Sequence, residues 1–331
     1  MASYQSPRCV IAHRVRSYLF PAAHAARYSG ATFRRMVPPM LVSLPGFIRI
    51  PLALLLLFVN TTAHVLVLFV FTLFKLVAPI RALRDGCSRV LVKIAESWIA
   101  VNSALFKVFT RTRWQVEGLD GLRRDGNYLV LCNHQSWVDI PVLQKIFNRR
   151  IPFLRFFLKS QLIWVPLLGP AWWALDFPFM KRYSKETLAR HPELQGKDRR
   201  STRKACEKFS HMPVSVMNFV EGTRFTQAKH DAQSSPYRYL LRPKAGGVSF
   251  VLDAMGEGLH AILDVTIVYP QGSVTMMDLI AGRVRDVRVH VRELPIDAVL
   301  RGNGESDKPF RERVNALWRE KDERIERMRH S

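Results

Sequence analysis

Two kinds of apolar pattern divide the chain. Residues 51–74 form one long apolar stretch that carries no formal charge when His64 is neutral. At about 1.5 Å of rise per residue, a helix of that length reaches across roughly 30 Å of hydrocarbon. The pattern therefore predicts a membrane-embedded helix. Asn60, Thr61, Thr62 and His64 interrupt its middle, which also admits a re-entrant or hairpin insertion. The stretch is too long for a signal peptide and lacks a small-residue cleavage site. Residues 88–109 follow with helical spacing: Val90, Leu91, Ile94, Trp98, Ile99, Leu105 and Phe106 are apolar, with Arg89, Lys93, Glu96 and Lys107 between them. They predict an amphipathic helix suited to a bilayer interface.

From Trp114 onward the apolar runs become short and are separated by turn residues, the pattern of an α/β domain. Strands are predicted at 128–132, 213–220, 261–269 and 287–291, and helices at 137–148, 201–210, 245–255 and 307–329. The segment 153–179 is rich in aromatic residues, among them Phe153, Trp164, Trp172, Trp173 and Phe177. It supplies core, and either an acyl channel or a membrane-facing surface. The resulting boundaries are a basic arm at 1–49, a membrane-embedded helix plus an amphipathic helix at 50–110, and a catalytic domain at 111–331.

Charge adds a partner class. The formal net charge is +23, and no acidic residue precedes Asp85. Such a chain meets an anionic surface, either nucleic acid or an acidic bilayer. The aromatics cluster with apolar residues rather than interleaving with Lys and Arg, which speaks against a nucleic-acid platform. Residues 1–49 read as a disordered basic arm, an organellar transit peptide, or sequence upstream of a start at Met36 or Met40. The 4 cysteines show no CxxC or zinc spacing and read as reduced thiols. No metal-site pattern is visible.

Two clusters carry candidate chemistry, each at the end of an apolar run. Asn133-His134-Gln135-Ser136-Trp137-Val138-Asp139 follows residues 128–132. On a regular helix, residues five apart lie about 140° around the axis, so His134 and Asp139 would not share a face. They meet if His134 lies in the turn before a helix and Asp139 in its first turns, where the carboxylate could orient the imidazole as a general base. The plainer alternative makes Asn133 a helix N-cap and Asp139 a dipole partner. The second cluster is Phe219-Val220-Glu221-Gly222-Thr223-Arg224. Gly222 allows close backbone approach, Thr223 offers a hydroxyl and Arg224 a bidentate phosphate contact; an ordinary turn with one exposed Arg is the alternative. Lys181-Arg182 and Lys244 give further cationic points. No Gly-x-Ser-x-Gly elbow surrounds Ser136 or Cys132, so direct attack by an acceptor hydroxyl on an activated thioester is favoured over an acyl-enzyme.

Taken together, these blocks resemble the glycerophospholipid acyltransferases of the lysophosphatidic acid acyltransferase superfamily. His134 and Asp139 fit its NHxxxxD block, Phe179-Met180-Lys181-Arg182 its second, Phe219 to Arg224 its F-x-EGTR block, and Val265-Thr266-Ile267-Val268-Tyr269-Pro270 its fourth. Order and spacing agree from about Trp114 to Val291. The stretches 133–140, 157–166, 176–186 and 264–269 are similar to the lysocardiolipin-acyltransferase-like branch and its Gram-negative bacterial relatives. Thr266 departs from the Pro found in many members, which puts acyl-chain and acceptor preference in question.

The resemblance implies a mixed-sheet layered α/β acyltransferase domain on an N-terminal membrane-embedded helical segment. It implies His134 as base and Asp139 as its orienter. Glu221, Gly222, Thr223 and Arg224 would hold the glycerol-phosphate end, assisted by Arg182 and Lys244, and Pro270 would shape the acyl side. The donor would be acyl-CoA or acyl carrier protein with no further cofactor, the acceptor a lysophospholipid, and the setting an anionic membrane. A bacterial inner membrane with the catalytic domain on the cytoplasmic side fits soluble thioester donors.

Overall fold

The computed structural model describes residues 41–180, 190, 213–296 and 308–331. The arm up to residue 40, Lys181, Arg182 and the helix expected at 201–210 lie outside the described residues.

The N-terminal apolar stretch is helix α1 (Gly46–Val77), continuous through the polar positions that admitted a break. Those positions face the next helix, α2 (Arg81–Phe109). Asn60 Nδ2 donates to Asn102 Oδ1 at 2.8 Å, Trp98 Nε1 donates to Thr61 Oγ1 at 3.1 Å, and His64 Nε2 meets Ser97 Oγ at 3.2 Å. As the α1 partner advances, its α2 partner recedes, so the two helices run antiparallel. A polar seam of this kind satisfies groups that would otherwise be stranded in an apolar setting. Among the described residues, α1 is the helix long and apolar enough to cross a membrane. The α2 helix is amphipathic, and its residues Leu91, Ala95 and Ile99 are buried in the protein core. Its Glu96 meets Arg124 at 3.3 Å.

The region after α2 is built on a sheet ordered β1-β8-β7-β2-β6-β3, with strands β1 (Arg113–Glu117), β2 (Tyr128–Cys132), β3 (Leu154–Phe156), β6 (Ser215–Phe219), β7 (Ala261–Val268) and β8 (Asp286–Leu294). Only the β7–β8 pair is antiparallel; the other neighbours are parallel. A small separate pair joins β4 (Leu158–Lys159) to β5 (Phe179–Met180). The β2 and β7 strands are buried on both faces, as parallel central strands under two helical layers must be.

Alternation along these strands feeds two cores. Tyr128, Val130 and Cys132 of β2, with Leu263, Val265 and Ile267 of β7, pack with α1, α2 and α3 (Asp139–Phe147). Leu129, Leu131 and Ile262 pack on the opposite face. There they meet helices α6 (Ala245–Met255) and α8 (Lys308–His330). Each fully buried aliphatic side chain contributes roughly 1.5–3 kcal/mol of burial. Three short helices, α4 (Leu168–Ala174), α5 (Gln227–Ala232) and α7 (Met276–Ile280), lie in the connections. Because β2, β6 and β7 are parallel, the chain after each one emerges at the same edge of the sheet. That edge is where open α/β sheets place ligands.

Candidate active site

Three strand ends build the site. The chain leaving β2 carries Asn133 and His134, that leaving β6 carries Val220 to Arg224, and that leaving β7 carries Tyr269 and Pro270. Asn133 is no helix cap. Its side chain is buried and clamps β2 to β7, donating to Ile267 O and accepting from Ile267 N, both at 2.9 Å.

The helix of the first motif starts at Asp139, so His134 lies in the preceding turn. His134 Nδ1 is 2.8 Å from Asp139 Oδ2. A carboxylate accepts, so Nδ1 carries the proton and Nε2 at the opposite edge of the ring is left basic. Asp139 is fully buried, and its Oδ2 also accepts from the N–H groups of Gln135 at 2.7 Å and Ser136 at 2.9 Å. Its other oxygen accepts from the hydroxyl of Tyr269 at 2.7 Å. The imidazole is fixed in orientation by stacking on Phe219, ring centroids 3.8 Å apart. Ser136 and Cys132, the hydroxyl and thiol nearest His134 along the chain, are both buried. Ser136 Oγ is buried and donates to Val274 O at 2.7 Å, while burial pushes the Cys132 thiol well up.

The second cluster divides in two. Glu221, expected among the residues that hold the acceptor, is buried with both oxygens occupied. Oε1 accepts from the backbone N–H of His134 and Oε2 from that of Leu241, each at 2.9 Å. Through these two bonds it ties the His134 turn to the loop at Leu241. Gly222 sits at φ 68°, a backbone angle that side chains disfavour. Phe225 N donates to His134 O at 2.7 Å, tying the two motif loops together. Arg224 is exposed, its guanidinium 4.8 Å over the Trp137 ring. Thr223 Oγ1 accepts from Lys229 Nζ at 2.8 Å. Lys244 is exposed at the start of α6, whose end is brought alongside by its N–H to Val220 O at 2.8 Å. Pro270 is half-buried directly after Tyr269. Arg182 lies outside the described residues.

Tyr269, Trp137, Lys229 and the Phe219 stack were not among the expected site residues. For Tyr269 a signal existed: counting by twos from Val265 through Ile267 puts it on the β7 face that also receives His134's helix. Lys229 reaches the loop from α5, a contact that no spacing rule anticipates. The side chain of Thr266 faces α8 and takes a hydrogen bond from Arg324 at 3.1 Å.

Burial raises the Glu221 carboxyl from its ordinary 4.5 to about 8, against the pull of its two N–H donors. A raised carboxyl means that the native state binds the proton more tightly than the unfolded chain. The associated stability is complete below the unfolded value and is lost as pH rises toward about 8. Glu221→Gln removes this dependence, at the cost of setting an amide N–H2 against one backbone N–H. The wild-type Tm is therefore expected to fall relative to that of the variant between pH 4.5 and about 8. Parallel thermal melts across that range check it; a constant difference would refute the assignment.

The site thus combines a mixed α/β sheet, a buried carboxylate behind an imidazole and exposed basic side chains at one sheet edge. Residues 113–270 match the protein-family model described as Acyltransferase. It is similar to lysocardiolipin acyltransferase 1 of Gallus gallus, 28% identical over 251 residues, covering 71% of this chain and 62% of that protein. It is also similar to 1-acyl-sn-glycerol-3-phosphate acyltransferase 2 of Arabidopsis thaliana, 28% identical over 178 residues, 50% of this chain and 43% of that one. The matched part thus spans about three-fifths or less of the length of these curated relatives. Among solved structures, the crystal structure of the 1-acyl-sn-glycerophosphate acyltransferase PlsC from Thermotoga maritima shares the fold, with a TM-score of 0.52 at 19% identity over 85% of this chain and 98% of that one.

Proposed function

We propose that the chain is a membrane acyltransferase that moves a fatty acyl group from an acyl thioester to the free sn-2 hydroxyl of lysophosphatidic acid, giving phosphatidic acid. The observation that carries this reading is the His134–Asp139 contact of 2.8 Å at the strand edge that also presents Arg224. His134 Nε2 takes the acceptor's hydroxyl proton as the oxygen attacks the thioester carbonyl. Asp139 stabilises the imidazolium, and Tyr269 and two N–H groups keep that carboxylate in place. The carbon–sulfur bond then breaks, and the imidazolium returns its proton to the leaving thiolate. Arg224, Thr223, Lys244 and Arg182 hold the phosphate, with the stacked Trp137 keeping the guanidinium from collapsing onto the loop. Pro270 borders the acyl side. The donor is acyl-CoA or acyl carrier protein. α1 sits in the membrane with the catalytic domain on the cytoplasmic side of a bacterial inner membrane.

A second acceptor reading has its own support. The match to lysocardiolipin acyltransferase 1 extends over 251 residues, against 178 for the plant 1-acyl-sn-glycerol-3-phosphate acyltransferase. Lysocardiolipin or lysophosphatidylglycerol is then the acceptor of the same chemistry. Transfer from labelled oleoyl-CoA by purified protein, with the lysolipids offered in competition, ranks them; no product from any lysolipid with either donor would overturn the proposal. Arg224→Ala is expected to raise the acceptor KM about tenfold or more, with a smaller change in kcat, as loss of a charge-assisted phosphate contact should. An unchanged acceptor KM would remove Arg224 from the phosphate site.

A further inference from the structure

Behind the catalytic edge, no formal charge occurs between Lys159 and Asp176. A 3₁₀ helix (Ser160–Trp164) and α4 make up most of this segment. Its apolar residues split sharply. Trp172 turns inward, into the core cluster that also takes Phe69 and Phe71 of α1. Trp164 is 85% exposed and Trp173 49% exposed, with Pro166 and Pro170 exposed beside them. A tryptophan so fully presented on an uncharged segment is out of place against water.

The segment is built to hold that presentation. A Cβ on Gly169 would lie 2.1 Å from Ile163 O, so only glycine lets α4 start against the backbone of the 3₁₀ helix. Leu167 and Asp176, at the two ends of α4, have φ of 64° and 60°. Non-glycine residues keep such angles only where their surroundings fix them. The segment is also joined to α1: Lys75 Nζ lies 2.8 Å from Asp176 Oδ2. Next to Lys75 in the chain, Leu73 and Phe74 are exposed, part of the apolar surface that α1 turns away from the protein.

We propose that residues 160–175 are a second bilayer contact, seating Trp164 and Trp173 at the headgroup–acyl boundary beside α1. The occupant is lipid because the patch continues an apolar helix long enough to cross a membrane, lacks charge, and offers tryptophans, the side chains favoured at that boundary. Exposed Lys159 borders it on one side, where a cation meets anionic headgroups. Two contacts fix the tilt and depth of the catalytic edge, which one helix alone leaves free. This rests on the membrane reading of α1 and not on the identity of the acceptor.

The test uses full-length protein reconstituted in phosphatidylcholine–phosphatidylglycerol vesicles. The emission of Trp164 is taken as the difference between wild type and Trp164→Phe, and that of Trp173 likewise from Trp173→Phe. Both are expected to be quenched by acyl-brominated lipid and protected from aqueous iodide. Quenching by iodide alone would overturn the proposal. So would protection from both quenchers together with a dimer mass, which would mean that a second copy covers the patch. Trp164→Glu is expected to slow acylation of vesicle-borne lysolipid about tenfold while leaving that of detergent-dispersed lysolipid unchanged, as loss of interfacial apolar contact should. If the quenching holds and no acylation occurs in any format, the bilayer contact stands and the acyl-transfer reading falls.

Discussion

His134→Ala is expected to lower kcat by about 10³-fold or more while leaving the fold intact, the loss typical of removing a positioned general base. The geometry explains why structure should survive. The backbone N–H of His134, not its imidazole, holds Glu221, and its carbonyl accepts from Phe225. Alanine keeps both bonds. The imidazole itself contributes a stack on Phe219 and one bond to Asp139, and Asp139 retains three other donors without it. Asp139→Asn should be nearly as damaging to turnover. An amide can keep its oxygen toward His134, Gln135 and Ser136 and turn its N–H2 to the Tyr269 hydroxyl, but it lacks the negative charge that stabilises the imidazolium as His134 takes the proton. Steady-state rates with labelled oleoyl-CoA, beside thermal melts of each variant, decide the matter. Turnover of His134→Ala near wild type would sink the base assignment, and a melt shifted far downward would mean that the loss of activity reports unfolding.

Much of this arrangement was legible in the residues because strand and helix periods are local. The buried runs at 128–132 and 261–269 are predominantly apolar, broken in the second by Asp264 and Thr266, and the site motifs follow directly from their ends. The turn between His134 and Asp139 could be inferred from an angle alone. Glu221 could not: nothing in F-x-EGTR distinguishes a carboxylate that meets a ligand from one that caps two loops, because the Leu241 N–H that it binds comes from 20 residues away. The edge strand β1 was likewise unseen, since its alternating half-buried pattern over five residues is shared by many loops. Asn60, Thr61 and His64 looked like an interruption because their partners belong to another helix. The same blindness hid the charges that secure α8. Its spacing reads as a polar surface helix, and only the sheet beneath explains which of its cations are interior.

Asp264→Ala is expected to destabilise the protein by about 3–5 kcal/mol, because it leaves buried cations without their counterion. Asp264 lies on the β7 face under α8 and is 2% exposed. Its carboxylate pairs with Lys321, fully buried, and with Arg324 and Arg292, each at 3.0 Å. Burial alone would raise its pKa, yet Lys321, Arg324 and Arg292 hold it below the ordinary value. The ion cluster is thus held by mutual neutralisation, and deleting the shared anion costs more than the pairs add over an apolar filling. Two comparisons separate this from simple loss of packing. Replacing the set together, Asp264→Leu with Lys321→Met and Arg324→Met, should recover most of the stability, since a buried ionic group and a well-packed apolar one of similar volume are often equivalent. Breaking the exposed Arg113–Asp286 pair by Arg113→Ala should leave the melt unchanged, because water already solvates it. For a chain of this size the single Asp264→Ala change corresponds to a Tm drop of about 4–7 °C. The consequence reaches the catalytic edge as well. Lys321 Nζ also donates to Val265 O, and β7 carries the Ile267 clamp on Asn133 and leads into the Tyr269 that holds Asp139. If α8 is a fastener for that strand, the triple replacement should restore both melt and kcat. A restored melt with kcat still depressed would mean that the cations position the site electrostatically, and a melt unaffected by Asp264→Ala would refute the buried cluster itself.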